Sequence, residues 1–254
     1  MLTPTPGSPE ELAAFARLQQ NLPSLYEQVA HDLRGEHLVV VVPSLSMDPR
    51  ELTKISGAHH YEERLLFFLM LLRRPRTRVL FLTSQTIDPT VVDYYLHLLS
   101  GIPTSHARKR LMLMDCSDAS AVPLSGKILS RPRLQQQIKR IISRFPSSHM
   151  VCFNSSALER TLAVQLGTPL YANDPSLLDL GTKSGCRESF REAGVLFPDG
   201  FERLHHSSEI VEALATLKGR DPSLRRAVVK LNEGFSGEGN ALFYFAEIEA
   251  RSAG

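Results

Sequence analysis

From residue 38 the chain reads Leu38-Val39-Val40-Val41-Val42 with no polar break and stops at Pro43. An unbroken β-branched run ended by proline predicts a strand covered on both faces, which begins a parallel sheet. Ahead of it, Leu12, Phe15, Leu18 and Leu22 recur at near-helical spacing behind a Pro-rich lead and predict a helix over residues 10–34. Beyond it, helix and strand alternate: helix 58–73, strand 78–83, helix 89–99, strand 111–114, helix 132–144, strand 149–153 and helix 155–166. Asp88-Pro89 supplies an N-cap followed by proline at the first helical position, and the last helix starts at a serine cap with Glu159 behind it. Strict alternation at these lengths predicts an open α/β sheet with helices on both faces over residues 35–172, joined by right-handed crossovers.

The pattern changes after Asn173-Asp174-Pro175. Helix 183–194 ends at Gly194, helix 207–218 ends at Gly219, and strands 226–231 and 241–246 flank a glycine-dense loop. The chain thus divides into an N-terminal helical lead (1–34), an α/β domain (35–172) and a short α+β unit (173–254). A two-stranded hairpin with two helices is marginal as an independent domain.

At 254 residues, 43% hydrophobic, the chain has the material for a sizeable core. Its net charge of +2 and scattered basic residues give no electrostatic footprint for nucleic acid. Cys116, Cys152 and Cys186 lie far apart without metal-ligand spacing, and adjacent pairs such as His59-His60 and His205-His206 lack acid or thiol partners at ligand spacing. The most apolar run, residues 65–72, is far short of the roughly 20 residues that span a bilayer. The N-terminus lacks the charged and apolar regions of a signal peptide, so the expectation is a soluble, cytoplasmic protein.

The most informative chemistry lies between the last two strands. Lys230 ends an apolar strand and is followed by Glu233, Gly234, Phe235, Ser236, Gly237, Glu238, Gly239 and Asn240. Glycines at 234, 237 and 239 let the backbone approach an anion and turn its N–H groups toward it, while Lys230 supplies a charge beside them. That order suits a triphosphate. It is neither a P-loop, lacking a terminal Gly-Lys-Ser/Thr, nor a dinucleotide fingerprint, because strand rather than helix follows. A glycine-rich hairpin turn without a ligand is the alternative, and phosphate contact is the favoured reading. Glu233 and Glu238 read as substrate contacts or as solvated loop residues, and Glu247 and Glu249 as a solvated tail. Arg131 and Arg133 bracket Pro132 at a helix start, where a salt-bridged surface is the favoured reading and a substrate carboxylate the other. Asp118, Ser120 and Ser125 fall in a strand-to-helix loop, where ligands of open sheets dock.

Together these segments resemble the ATP-grasp ligases, and within them the group of pheganomycin-type peptide ligases. The resemblance rests on Val42-Pro43-Ser44-Leu45-Ser46, His60-Tyr61-Glu62-Glu63-Arg64, Thr83-Ser84, Asp93-Tyr94-Tyr95, residues 127–133, Leu158-Glu159-Arg160, Gly181-Thr182-Lys183-Ser184-Gly185 and residues 230–241. It implies a Rossmann-like pre-ATP-grasp domain followed by α+β subdomains that hold ATP, and ATP-dependent amide-bond formation through an acyl phosphate. It further implies that Lys230 contacts phosphates, that residues 234–239 cover them, and that Lys183 is a nucleotide-side lysine, although an ordinary helix-start residue is the other reading there.

The resemblance implies Mg2+ bound to the nucleotide. Its ligands are expected in a second grasp subdomain that the sequence, stopping at Gly254, does not reach. The expected substrates are a carboxylate and an amine, small molecules or peptides. A homo-oligomer or a complementary C-terminal chain would cover the open hairpin. The alternative is a naturally shortened, non-catalytic module that binds a nucleotide or a partner.

Overall fold

The computed structural model describes residues 4–31, 35–233 and 239–245, and the chain divides into two compact units, Met1–Ser176 and Leu177–Gly254. In the first, among the described residues, β1 (His37–Val42), β2 (Thr77–Thr83), β3 (Leu111–Asp115) and β4 (Ser147–Cys152) form a parallel sheet in the order β3-β2-β1-β4. His37 pairs with Thr77 on one side and Ser147 on the other, and Val79 pairs with Leu111. This is the mixed α/β class, with a parallel sheet, that the alternating pattern predicts.

Every residue of β1 is buried because successive side chains enter different cores. Leu38, Val40 and Val42 pack with Phe15, Ile138, Met150 and Leu162, whereas Val39 and Val41 pack with Leu66, Leu69, Val92 and Leu96. The first core is built from α1 (Pro9–Gln19), α6 (Leu124–Leu129), α7 (Pro132–Ile142) and α8 (Ala157–Leu166). The second is built from a 3₁₀ helix (Ala58–Arg73), α4 (Pro89–His97) and α5 (Thr104–Arg108). The chain moves outward from β1 to β3 and then returns to place β4 beside β1. The β1/β4 junction is therefore the point of reversal, and the carboxyl ends of the strands are where ligands of such sheets gather.

Three sequence expectations change. The single helix over 10–34 is two helices, α1 and α2 (Leu22–His31), broken at Gln20-Asn21. Pro23 has no N–H to continue the ladder from α1 and sits instead in the first turn of α2. Phe15 places α1 in the core of the α/β unit, tied by Arg160 to Glu11 (3.3 Å) and by paired bonds between Gln19 and Leu170 (2.8 Å each). The helix over 58–73 is 3₁₀ rather than α: its buried Leu66, Leu69 and Leu72 recur every third residue, which stacks them on one face at three residues per turn. The short helices α3 (Pro49–Leu52), α5 and α6 occupy stretches to which the pattern assigned no helix, and α6 takes up Ser125 from the expected strand-to-helix loop.

The second unit follows a 3₁₀ segment (Pro175–Gly181) with α9 (Lys183–Glu192), α10 (Ser207–Arg220) and the antiparallel pair β5 (Arg226–Lys230) and β6 (Asn240–Tyr244). Its buried apolar side chains among the described residues are Ala213, Leu214 and Phe245. So small a core leaves Leu196 98% exposed.

Candidate functional site

The register of the hairpin decides which way Lys230 faces. Arg226 pairs with Tyr244, Val228 with Leu242 and Lys230 with Asn240, so these six side chains share one face of the two-stranded sheet. That face is exposed along its whole length, whereas Ala227, Val229 and Phe243 on the other face are half-buried. Lys230 thus stands at the loop end of an open apolar strip made by Val228, Leu242 and Tyr244. The face carries Lys230 and Asn240 at the loop end, Arg226 beside Tyr244 at the other, and Val228 and Leu242 between them.

The two stems of the glycine loop are fastened together. Leu231 donates its N–H to the Gly239 carbonyl at 2.8 Å, and Gly239 has a left-handed φ of 70°. A Cβ there would lie 2.6 Å from the Leu231 side chain, so glycine is required both by backbone angle and by space. Gly234, Phe235, Ser236, Gly237 and Glu238, named from the sequence as phosphate-covering residues, lie outside the described residues, as do Glu247 and Glu249. Glu233 is exposed at the first stem.

Beyond Lys230, the strand end is joined to the start of α9. Asn232 accepts the Lys183 N–H on its carbonyl at 3.3 Å and the Ser184 N–H on its side-chain oxygen at 2.9 Å. The opening turn is capped by Thr182, whose hydroxyl accepts from Gly185 N–H at 3.0 Å and donates to the Asp179 carbonyl at 2.7 Å. Gly185 packs so closely on the preceding 3₁₀ segment that a Cβ would come within 2.0 Å of the Asp179 carbonyl oxygen. Lys183, Lys230, Glu233, Gly239 and Asn240 are therefore brought into one neighbourhood of the second unit. Sequence reasoning passed over Asn232, the joint between them. It sits two residues past Lys230, but its partner is 48 residues away in the chain.

A second polar cluster lies at the carboxyl edge of the sheet in the first unit. Glu62 accepts from Ser84 N–H at 2.5 Å and from Ser84 Oγ at 2.6 Å, and Lys127 Nζ donates to Ser84 Oγ and to the Asp118 carbonyl, both at 2.8 Å. Burial pushes the Glu62 carboxyl up to about 7 against the pull of its Ser84 bonds and of Lys127. Burial likewise lowers the Lys127 ammonium, offset by the charges of Asp118 and Glu62. Arg131 locks the loop through Asp118 (2.7 Å) and the Lys127 carbonyl (2.9 Å). Hydrogen bonds from Ser120 and the Arg131 contact hold the Asp118 carboxyl well below the usual range. Alongside, Ser44 and Ser46 link at 2.8 Å, Ser46 also bonds to Glu159, and Ser44 Oγ accepts from Ser125 N–H at 3.1 Å. Of the pair flanking Pro132, Arg131 is an internal tie, so its guanidinium is already engaged.

Among the described residues no three His, Cys, Asp or Glu side chains gather as metal ligands, and no helix is long and apolar enough to cross a membrane. His60 bonds Glu63 at 3.0 Å, and Glu209 accepts the His205 and His206 N–H groups.

A parallel α/β unit followed by an α+β unit whose hairpin carries a lysine at its loop end is the arrangement that the resemblance to ATP-grasp proteins implies. The chain matches, over residues 177–253, the family model for the ATP-grasp domain of IQCH-like proteins. It is 30% identical over 198 residues to an L-propargylglycine–L-glutamate ligase of Streptantibioticus cattleyicolor, covering 76% of this chain and 41% of that protein. It is 25% identical over 260 residues to IQ motif-containing protein H of Danio rerio, covering 94% of this chain and 24% of that protein. The chain spans about two fifths of the ligase and about a quarter of the other relative.

Proposed function

We propose that the second unit grips the triphosphate of ATP for a carboxylate-amine ligase, with Lys230 on the phosphates and residues 234–239 covering them. The observation that carries this reading is the hairpin register, which sets Lys230 at the end of an exposed apolar strip. Val228, Leu242 and Tyr244 suit the flat face of a purine, and a lysine one pair further along suits the charged end of the same molecule. Lys183 lies beside the strand end through the Asn232 joint, a second cation of the kind a phosphate chain uses.

The chemistry follows from what a carboxylate lacks. Its oxygen attacks the γ-phosphorus of ATP, the bond to ADP breaks, and the acyl phosphate so formed carries a good leaving group. An amine then attacks the acyl carbon, the amide bond forms, and inorganic phosphate leaves with the electron pair of the C–O bond. Cations and N–H donors around the phosphates favour the first step by stabilising charge that spreads over the transferred oxygens. ATP is taken as its magnesium complex. The described residues fit the phosphates, not the metal, and their contribution here is binding and orientation. The similarity to a ligase that joins two amino acids supports the same reaction class, with a small carboxylate and amine as substrates.

A second reading is a non-catalytic nucleotide- or partner-binding module. It is favoured by the match of residues 177–253 to the IQCH-like model, and by a relative named for its IQ motif rather than for a ligation. Calorimetric titration with ATP and magnesium tests what both share, and comparison with Lys230→Ala tests the assignment. Loss of one charge-assisted contact weakens binding by about 1.5–3 kcal/mol, roughly tenfold to a hundredfold in Kd. No saturable binding by the unaltered chain, or equal affinity in the variant, rejects the phosphate role of Lys230.

A further inference from the structure

The Glu62–Ser84–Lys127 cluster is not self-contained, because it forms the floor of a cleft. The cleft is small and open, and its lining includes the polar Glu62, Ser84 and Lys127 and the apolar Leu45, Leu52 and Val122. It lies at the carboxyl edge of a parallel sheet, the position at which such sheets hold small ligands. Lys127 is 2% exposed and Glu62 4%, so two ionisable groups of opposite sign have been taken out of water and set either side of one hydroxyl.

Their valences are incompletely used. An ammonium has three donors, and among the described residues Lys127 spends two, on Ser84 Oγ and the Asp118 carbonyl. Each Glu62 oxygen accepts one bond from Ser84 and retains a second lone pair. Burying a charge with an open donor is costly, and a ligand that supplies the missing partner offsets that cost. A plain salt-bridge tether would need neither the open cleft nor apolar walls around its polar floor. A zwitterion answers both charges at once.

We propose that this cleft binds the head group of an α-amino acid, with its carboxylate on Lys127, its ammonium on Glu62 and its side chain against Leu45, Leu52 and Val122. The site belongs to the first unit alone and stands whether or not the second unit binds ATP. Arg131 is a positioning residue here: through Asp118 it fixes the carbonyl that aims Lys127.

The test is a titration of the 15N-labelled chain, without nucleotide, with each standard L-amino acid in turn, followed at the backbone amide of Ser84, which rests on Glu62. One or more amino acids should shift that resonance saturably. The N-acetyl and the carboxamide derivatives of the same amino acid should each bind at least about tenfold more weakly, because each loses one charge-assisted pair. Glu62→Gln should give a comparable loss for the free amino acid; should that variant fail to fold, the derivative series on the unaltered chain decides. If no amino acid moves Ser84 saturably, or if both derivatives bind as tightly as their parent, the proposal is overturned.

Discussion

Asn232 holds the Ser184 backbone N–H on its side-chain oxygen at 2.9 Å, which joins the end of the lysine-bearing strand to the start of α9. Its own carbonyl takes the Lys183 N–H as well. Asn232→Ala removes the side-chain acceptor and leaves a part-buried donor unpaired, at a cost of about 1–3 kcal/mol. Amide exchange at Ser184 should accelerate and the melting temperature should fall. If exchange at Ser184 is unchanged, the side chain does not hold the joint.

Gly185 sets how closely α9 approaches the 3₁₀ segment before it. With the Asp179 carbonyl oxygen 2.0 Å from the position of a Cβ, alanine cannot enter without moving backbone. Gly185→Ala should destabilise the second unit by about 1–3 kcal/mol, read from urea unfolding. Helix propensity acts in the opposite direction, since alanine is intrinsically the better helix former. A stabilised variant would therefore show that the contact yields.

Stability against pH should carry two opposed slopes. His37 and His149 bond each other at 2.7 Å in the sheet, and burial lowers them from 6.5 to about 4 and about 3. As pH falls below 6.5 the unfolded chain takes up protons that the folded chain refuses, and stability is lost toward about 3. Glu62 works the other way. Raised from 4.5 to about 7, it binds its proton more tightly when folded, so it adds stability as pH falls from about 7 to 4.5. Glu62→Gln should remove that gain and leave a steeper acid loss between pH 7 and 4.5. Urea midpoints measured across that range check it, and parallel curves for the two proteins would refute the assignment.

Much of the fold was legible in local pattern. The β-branched run of β1, the Asp88-Pro89 cap and the apolar periodicity of the helices each act within a few residues, so the chain displays them directly, and the serine cap of α8 lies one residue beyond the expected start at Ser155. What escaped has physical reasons. A six-residue helix such as α6 completes fewer than two turns, too short for a 3.6-residue period to show, and the segment that begins at Lys127 gave no sign of what that lysine touches. The 3₁₀ winding of residues 58–73 keeps the same apolar residues as an α-helix and differs only in how they stack. Lys230 was legible because strand, lysine and glycines are contiguous. Its alliance with Lys183 through Asn232 was not, because a hydrogen bond between residues 48 positions apart leaves no trace in composition or spacing.

By itself the sequence determined an alternating α/β segment, a change of pattern near residue 173 and a lysine poised before a glycine loop, all consequences of short-range sterics and periodicity. Only the tertiary structure decided that Glu62, Ser84 and Lys127 share one cleft and that Asn232 joins β5 to α9. Those relations depend on which distant side chains the packed cores bring within hydrogen-bonding reach. The energy that selects them is the cost of leaving a buried charge or N–H unpaired, and that cost exists only once the chain has folded.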